Sequence, residues 1–146
     1  MQRSAALKIV ESDNCDYLEM FGLSNDRSSP PNKIIFFGNC SNGKQFYISE
    51  SEIKAVGTPV SKSDKLSKVI DKMAERACID QTKPILNFPS SFDLKTLSVE
   101  VNRGVTGNIG VTFNFDAKNG LGNILPQKAK CIIDDQGIHP VDIIRR

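Results

Sequence analysis

With 146 residues, 39% of them hydrophobic and 25% charged, the chain has the composition of a folded globular domain. It contains no run of the ~20 apolar residues that span a bilayer. A formal net charge of +2, from 19 basic and 17 acidic residues that are interspersed, leaves no large basic field for nucleic acid or anionic lipid.

The N-terminal stretch Met1–Asn14 lacks the apolar h-region and the cleavage site of a signal peptide. Ala5–Val10 reads as a short strand, and Asp13–Asn14 as the cap of a short helix over Cys15–Phe21 that Gly22 stops. Lys33–Cys40 and Lys44–Ile48 are two β-rich runs joined across Asn42-Gly43, the pattern of a hairpin. Ser49 with Glu52 three residues on forms a capping box for a helix from Glu50 to about Val56.

Residues 63–80 carry the spacing of one long amphipathic helix. Leu66, Val69, Ile70, Met73, Ala74, Ala77 and Cys78 fall on a single stripe, with Ser63 as the N-cap. From Leu97 to Val101, and again from Ile109 to Phe115, the apolar period drops to two, as in strands with one buried and one wet face. Gly104–Gly107 supplies the turn between them. The Lys118–Asn123 loop leads to a strand in which Ala129, Cys131 and Ile133 share a face. Asp134–Gly137 is a turn, and Ile138–Ile144 a last strand that Pro140 places at an edge.

The four cysteines, Cys15, Cys40, Cys78 and Cys131, include no C-x-x-C pair, which removes zinc ribbons and thioredoxin-like motifs. Buried thiols and disulfides remain. Cys78 lies on the apolar stripe of the helix and Cys131 on the sheet face that must receive it, so a bridge between them is feasible and would leave Cys15 for Cys40. Closing a loop of about 50 residues stabilises by roughly 4 kcal/mol in the chain-entropy picture. Disulfides in turn imply an oxidising compartment.

Chemistry-bearing constellations are scarce. One histidine, His139, rules out every two-histidine metal site and reads as an exposed or capping residue. Asp134 and Asp135 are adjacent, so they read as turn residues rather than a converging acid/base pair. Gly104-Val-Thr-Gly107-Asn-Ile-Gly110 has neither the lysine nor the helix of a phosphate-binding loop. Lys62, Lys65, Lys68, Lys72 and Arg76 line one side of the long helix, but Asp64, Asp71 and Glu75 interrupt them. No residue is therefore put forward as catalytic, cofactor-binding or metal-ligating, and no cofactor is expected.

Asn87-Phe-Pro-Ser-Ser-Phe-Asp93, then Ala117-Lys-Asn-Gly-Leu-Gly122, then Cys131 together resemble a loose group of small bacterial exported proteins. These have a cysteine near a helix end, here Cys78, and a second cysteine in the strand after an Ala-Lys-Asn loop. The resemblance spans residues 75–135; it implies export and a helix-on-sheet fold, and it transfers no catalytic residue.

The fold expected is α+β in one domain over 1–146, with a subdomain break near 57–62. One long amphipathic helix packs on an antiparallel sheet of hairpins, and an N-terminal hairpin and a short helix precede it. The function expected is a non-enzymatic, periplasmic or secreted protein–protein interaction module, either an accessory of envelope or secretion machinery or a toxin-immunity protein, with its export signal already removed. Its partner would be another protein, met through the loops at Ser41, Asn42, Gly43 and Lys44 or at Lys118, Asn119, Gly120 and Leu121. The alternative is a cytosolic, phage-type protein, nucleic-acid-associated or regulatory, that uses the lysine-bearing helix 63–80.

Overall fold

The computed structural model describes all residues, 1–146, as a mixed α and β protein with two antiparallel sheets. The chain divides into two compact units, residues 1–65 with 105–107 and residues 66–104 with 108–146. No helix is long and apolar enough to cross a membrane.

The first unit holds helix α1 (Gln2–Val10), strands β1 (Leu18–Leu23), β2 (Ile35–Cys40) and β3 (Gln45–Ser49), and helix α2 (Glu50–Lys54). The sheet order is β1-β2-β3, antiparallel throughout. Phe36, Phe46 and Ile48 alternate onto its inner face and are fully or almost fully buried. Ala5 and Ile9 of α1 close over that face, and Phe21 stacks on Phe36 at 5.7 Å. Two expectations fail here. Residues 5–10 belong to a helix, because Ala5 and Ile9 one turn apart supply its buried stripe. Residues 18–21 belong to a strand, because the hydrogen-bonding edge of β2 recruits them.

Helix α2 begins at the capping box. The Ser49 side chain accepts from the Glu52 N–H, and Glu52 reaches back to the Ser49 N–H at 2.8 Å. It ends at Lys54 rather than near Val56, where the Lys8 ammonium of α1 donates to the carbonyl oxygens of Glu52, Ile53 and Ala55. A cation at a helix C-terminus meets both the orphan carbonyls and the negative end of the dipole.

The expected helix over 63–80 is two helices, α3 (Lys62–Leu66) and α4 (Asp71–Thr82). Ser61 caps α3 in place of Ser63. Its buried Oγ accepts from the Asp64 N–H at 3.2 Å, and its carbonyl accepts from the Lys65 N–H. Ile70 is extended (φ −75, ψ 156) and precedes α4. The Arg103 guanidinium fills the break, donating to the carbonyls of Leu66 and Val69 and pairing with Asp71 at 3.0 Å. Carbonyls freed by the interruption are thus satisfied by a side chain from far along the sequence.

The second unit is built on strands β4 (Asp93–Leu94), β5 (Glu100–Arg103), β6 (Ile109–Lys118), β7 (Ile124–Asp134), β8 (Gly137–Ile138) and β9 (Asp142–Arg145). β6 and β7 pair along ten positions; β4 and β5 share the far edge of β6, and β8 and β9 that of β7. Ile109, Val111, Phe113, Phe115 and Ala117 line one face and Ala129, Cys131 and Ile133 continue it, with Ala74 and Cys78 of α4 packed into the same core. Phe92 adds an edge-on contact to Phe113 (6.2 Å) and a tilted one to Phe115 (5.1 Å).

Two strand boundaries differ from expectation. Thr96–Ser98 is a 3-10 turn, with the Ser98 hydroxyl donating to the Lys95 carbonyl and accepting from the Asn114 N–H, so Leu97 points fully into solvent. The segment 138–144 is divided at His139–Val141, giving β8 and β9 separate pairings with β7.

Candidate functional site

The four cysteines form two disulfides, Cys15–Cys40 and Cys78–Cys131, with Cα separations of 5.6 and 5.9 Å. Each lies inside a single unit and in its core: Cys78 on the buried stripe of α4 meets Cys131 on the inner face of β7. Two such bridges point to an oxidising compartment.

His139 Nε2 lies 2.7 Å from Asp134 Oδ2, while Asp134 Oδ1 accepts from the Gln136 N–H at 2.8 Å. Burial pushes the Asp134 carboxyl up, but the His139 side chain and the Gln136 N–H outweigh it and hold the group below the ordinary aspartate value. The arrangement closes the turn between β7 and β8. Nowhere do three His, Cys, Asp or Glu side chains gather in a way that could hold a metal ion.

The remaining polar clusters join segments. Lys44 Nζ pairs with Asp64 at 3.0 Å and reaches Asn14 Oδ1 at 3.3 Å, and the hydrogen bond from Ser61, followed by that from Lys44, lowers the Asp64 carboxyl. Lys95 bridges Asp93 and Asp116, and Arg146 adds to Asp116 at 3.0 Å. Lys62 and Lys65 fall in one unit, Lys68, Lys72 and Arg76 in the other, so these cations do not line one side of a single helix. Lys62 is itself largely buried, with its ammonium 3.4 Å from Gln45 Oε1.

The two loops singled out from sequence have different surroundings. At Ser41–Lys44 the Gly43 N–H closes the turn onto the Cys40 carbonyl. The Asn42 amide donates to the Asn14 carbonyl, the Asn42 N–H donates to Asp16, and Lys44 is engaged as described. This turn is tied to neighbouring chain on several sides.

The Lys118–Leu121 loop is held from within instead. Asn119 Oδ1 accepts from the N–H groups of Leu121 (3.0 Å) and Asn123 (2.9 Å), and its own N–H donates to the Asn123 carbonyl. Gly122 takes the left-handed conformation the turn requires (φ +85), and the Lys118 N–H donates to Ser91 Oγ at the loop base. At its tip Leu121 is 88% exposed, and Ile124 beside it 66%.

A further group escaped the sequence reading. Phe37 of β2 and Tyr47 of β3 alternate with buried Phe36 and Phe46, so they stand on the outer face of the three-stranded sheet, where the Arg27 guanidinium lies 3.5 Å from the Tyr47 ring centroid. The signal was the two-residue period within each run.

No protein-family model matches the sequence, and comparison with curated proteins and with solved structures gives no match either.

Proposed function

We propose that the chain is a non-enzymatic recognition module of the periplasm or the cell exterior, binding another protein through the β6–β7 loop. An accessory role in envelope or secretion machinery and a toxin-immunity role both fit such a module. The observation that carries it is Leu121, held out in solvent by a loop whose own hydrogen bonds fix its shape. A backbone turn that is already formed before binding spares the entropy of ordering the loop on docking, so less of the contact energy is spent on it. Ile124 and the Lys118 stem enlarge the contact to an apolar tip with a basic flank.

The test places a photo-crosslinking residue at position 121 in cells and, as a control, at the fully exposed Val56. A discrete crosslinked species from position 121, absent from position 56 and lost when Ile124→Lys is added, is the expected result. No crosslink at 121, or the same pattern from both positions, refutes the proposal.

A further inference from the structure

The outer face of the three-stranded sheet combines an aromatic surface with polar groups of no net charge bias, and we infer that it is a binding site for one ring of a neutral sugar. Gly22, Phe37 and Tyr47 occupy one row across β1, β2 and β3. A Cβ at Gly22 would lie 3.2 Å from Phe37 Cε1 and 3.5 Å from Cζ, so the far edge of the phenyl ring rests over the glycine. The ring therefore lies along the sheet rather than standing up from it, and its other face is turned outward. Tyr47 carries the Arg27 guanidinium on its ring, which leaves the half-buried Phe37 ring as the aromatic surface facing the depression beside it.

Beside it is an open depression of about 300 Å³ lined by Phe37, Tyr47, Ser24, Asn25, Asp26 and Gln45. That is the lower end of the range for small-molecule sites, roughly 300–1,000 Å³, and suits one ring rather than an extended ligand.

The polar inventory selects the ligand. A pyranose offers an apolar C–H face that packs on an aromatic ring, and hydroxyls that both donate and accept. Asn25 and Gln45 carry amides able to do both, and Asp26 accepts only. The Gln45 amide is already oriented: its Nε2 donates to Asn39 Oδ1 at 3.0 Å, and its Oε1 lies 3.4 Å from the Lys62 ammonium. Asp26 on the rim opposes phosphate, and of the two nearby cations Lys62 is largely buried behind Gln45 and Arg27 is stacked on Tyr47, so a nucleotide or nucleic-acid strand would meet an exposed carboxylate in place of the exposed cations its backbone demands. The site lies in the first unit, apart in sequence from the Leu121 loop, and stands or falls independently of it.

The experiment is a ¹H–¹⁵N NMR titration of the full chain with methyl α-glucoside, methyl α-mannoside, methyl β-galactoside and N-acetylglucosamine, each up to about 10 mM, the scale of weak single-ring binding. Saturable shifts clustered at Gly22, Asn25, Asp26, Phe37, Gln45 and Tyr47 with at least one sugar are expected. Phe37→Leu should weaken binding about tenfold with the rest of the spectrum unchanged, and Asp26→Ala, at an exposed position, should also weaken it. Absence of shifts with all four sugars overturns the inference. So do shifts that persist undiminished in both variants, or stronger binding at these residues by a short oligonucleotide or an aromatic peptide.

Discussion

Arg103, at the end of β5, donates its guanidinium to the carbonyl oxygen of Val69, 34 residues earlier in the chain. The same group reaches the Leu66 carbonyl and the Asp71 carboxylate, so one side chain satisfies the end of α3 and braces the start of α4. Replacing it by methionine keeps the length and removes every donor. Arg103→Met should cost about 1–2 kcal/mol, toward the low end of the roughly 1.5–3 kcal/mol for hydrogen bonds to charged groups because the side chain is partly exposed. Urea denaturation checks this, and a loss under a few tenths of a kcal/mol would show that water replaces the guanidinium without penalty.

Gly38 tests the packing of the first unit. A Cβ there would sit 2.6 Å from Ile9 Cδ1 and 3.0 Å from Leu18 Cδ1. Gly38→Ala should overpack this core and destabilise by about 1–3 kcal/mol. Ile9→Val deletes the offending methyl, so in the Gly38→Ala background it should cost less than it does alone, or even stabilise. A double-mutant cycle measures the difference; simple additivity would mean that Ile9 is not what the new methyl meets.

The two disulfides close loops of different length, with sequence separations of 25 and 53. Chain entropy gives losses of about 3.5 kcal/mol for Cys15→Ala/Cys40→Ala and about 4 kcal/mol for Cys78→Ala/Cys131→Ala. Denaturant midpoints of the two double variants against the oxidised parent provide the comparison. A loss under about 1 kcal/mol for either pair would place the stability of that unit in its apolar core alone.

Asp134 sets a pH dependence. Its folded carboxyl lies below the ordinary 3.8, since the His139 and Gln136 hydrogen bonds overcome burial. The contribution is therefore present above pH 3.8 and is lost as pH falls through the lower, folded value. Asp134→Asn should be about 1–2 kcal/mol less stable than the parent near neutral pH. The gap should begin to narrow below about pH 4, the reference range for an aspartate, and go on narrowing as pH falls toward the lower folded value. A gap that stays constant down to pH 3 would assign the loss to packing instead of charge.

Much of the second unit was readable from sequence because its signals are local. The alternation from Ile109 to Phe115 is one buried face of β6, and Cys78 and Cys131 announced each other through the faces they share with apolar neighbours. The break at 67–70 was not readable. The apolar period runs straight through it, and the group that stabilises the interruption lies on a strand far along the chain. Residues 18–21 misled for a related reason: a short run with ambiguous period takes the conformation of the partner edge it meets, here β2. At Leu97 the alternation was real but idle, since the Ser98 hydroxyl takes the Asn114 N–H and ends the pairing before Leu97 is reached. The half-buried ring of Phe37 was hidden differently, because a period of two says which residues share a face and not which face is covered.

The two cystine rings follow one another along the chain, 15–40 and then 78–131, and neither encloses the other. For a polypeptide that emerges N-terminus first into an oxidant, Cys40 meets Cys15 as its sole partner until Cys78 appears. Oxidation in order of arrival then yields the native pairing with no reshuffling of mispaired thiols, so maturation should call for a disulfide-forming catalyst and little isomerase.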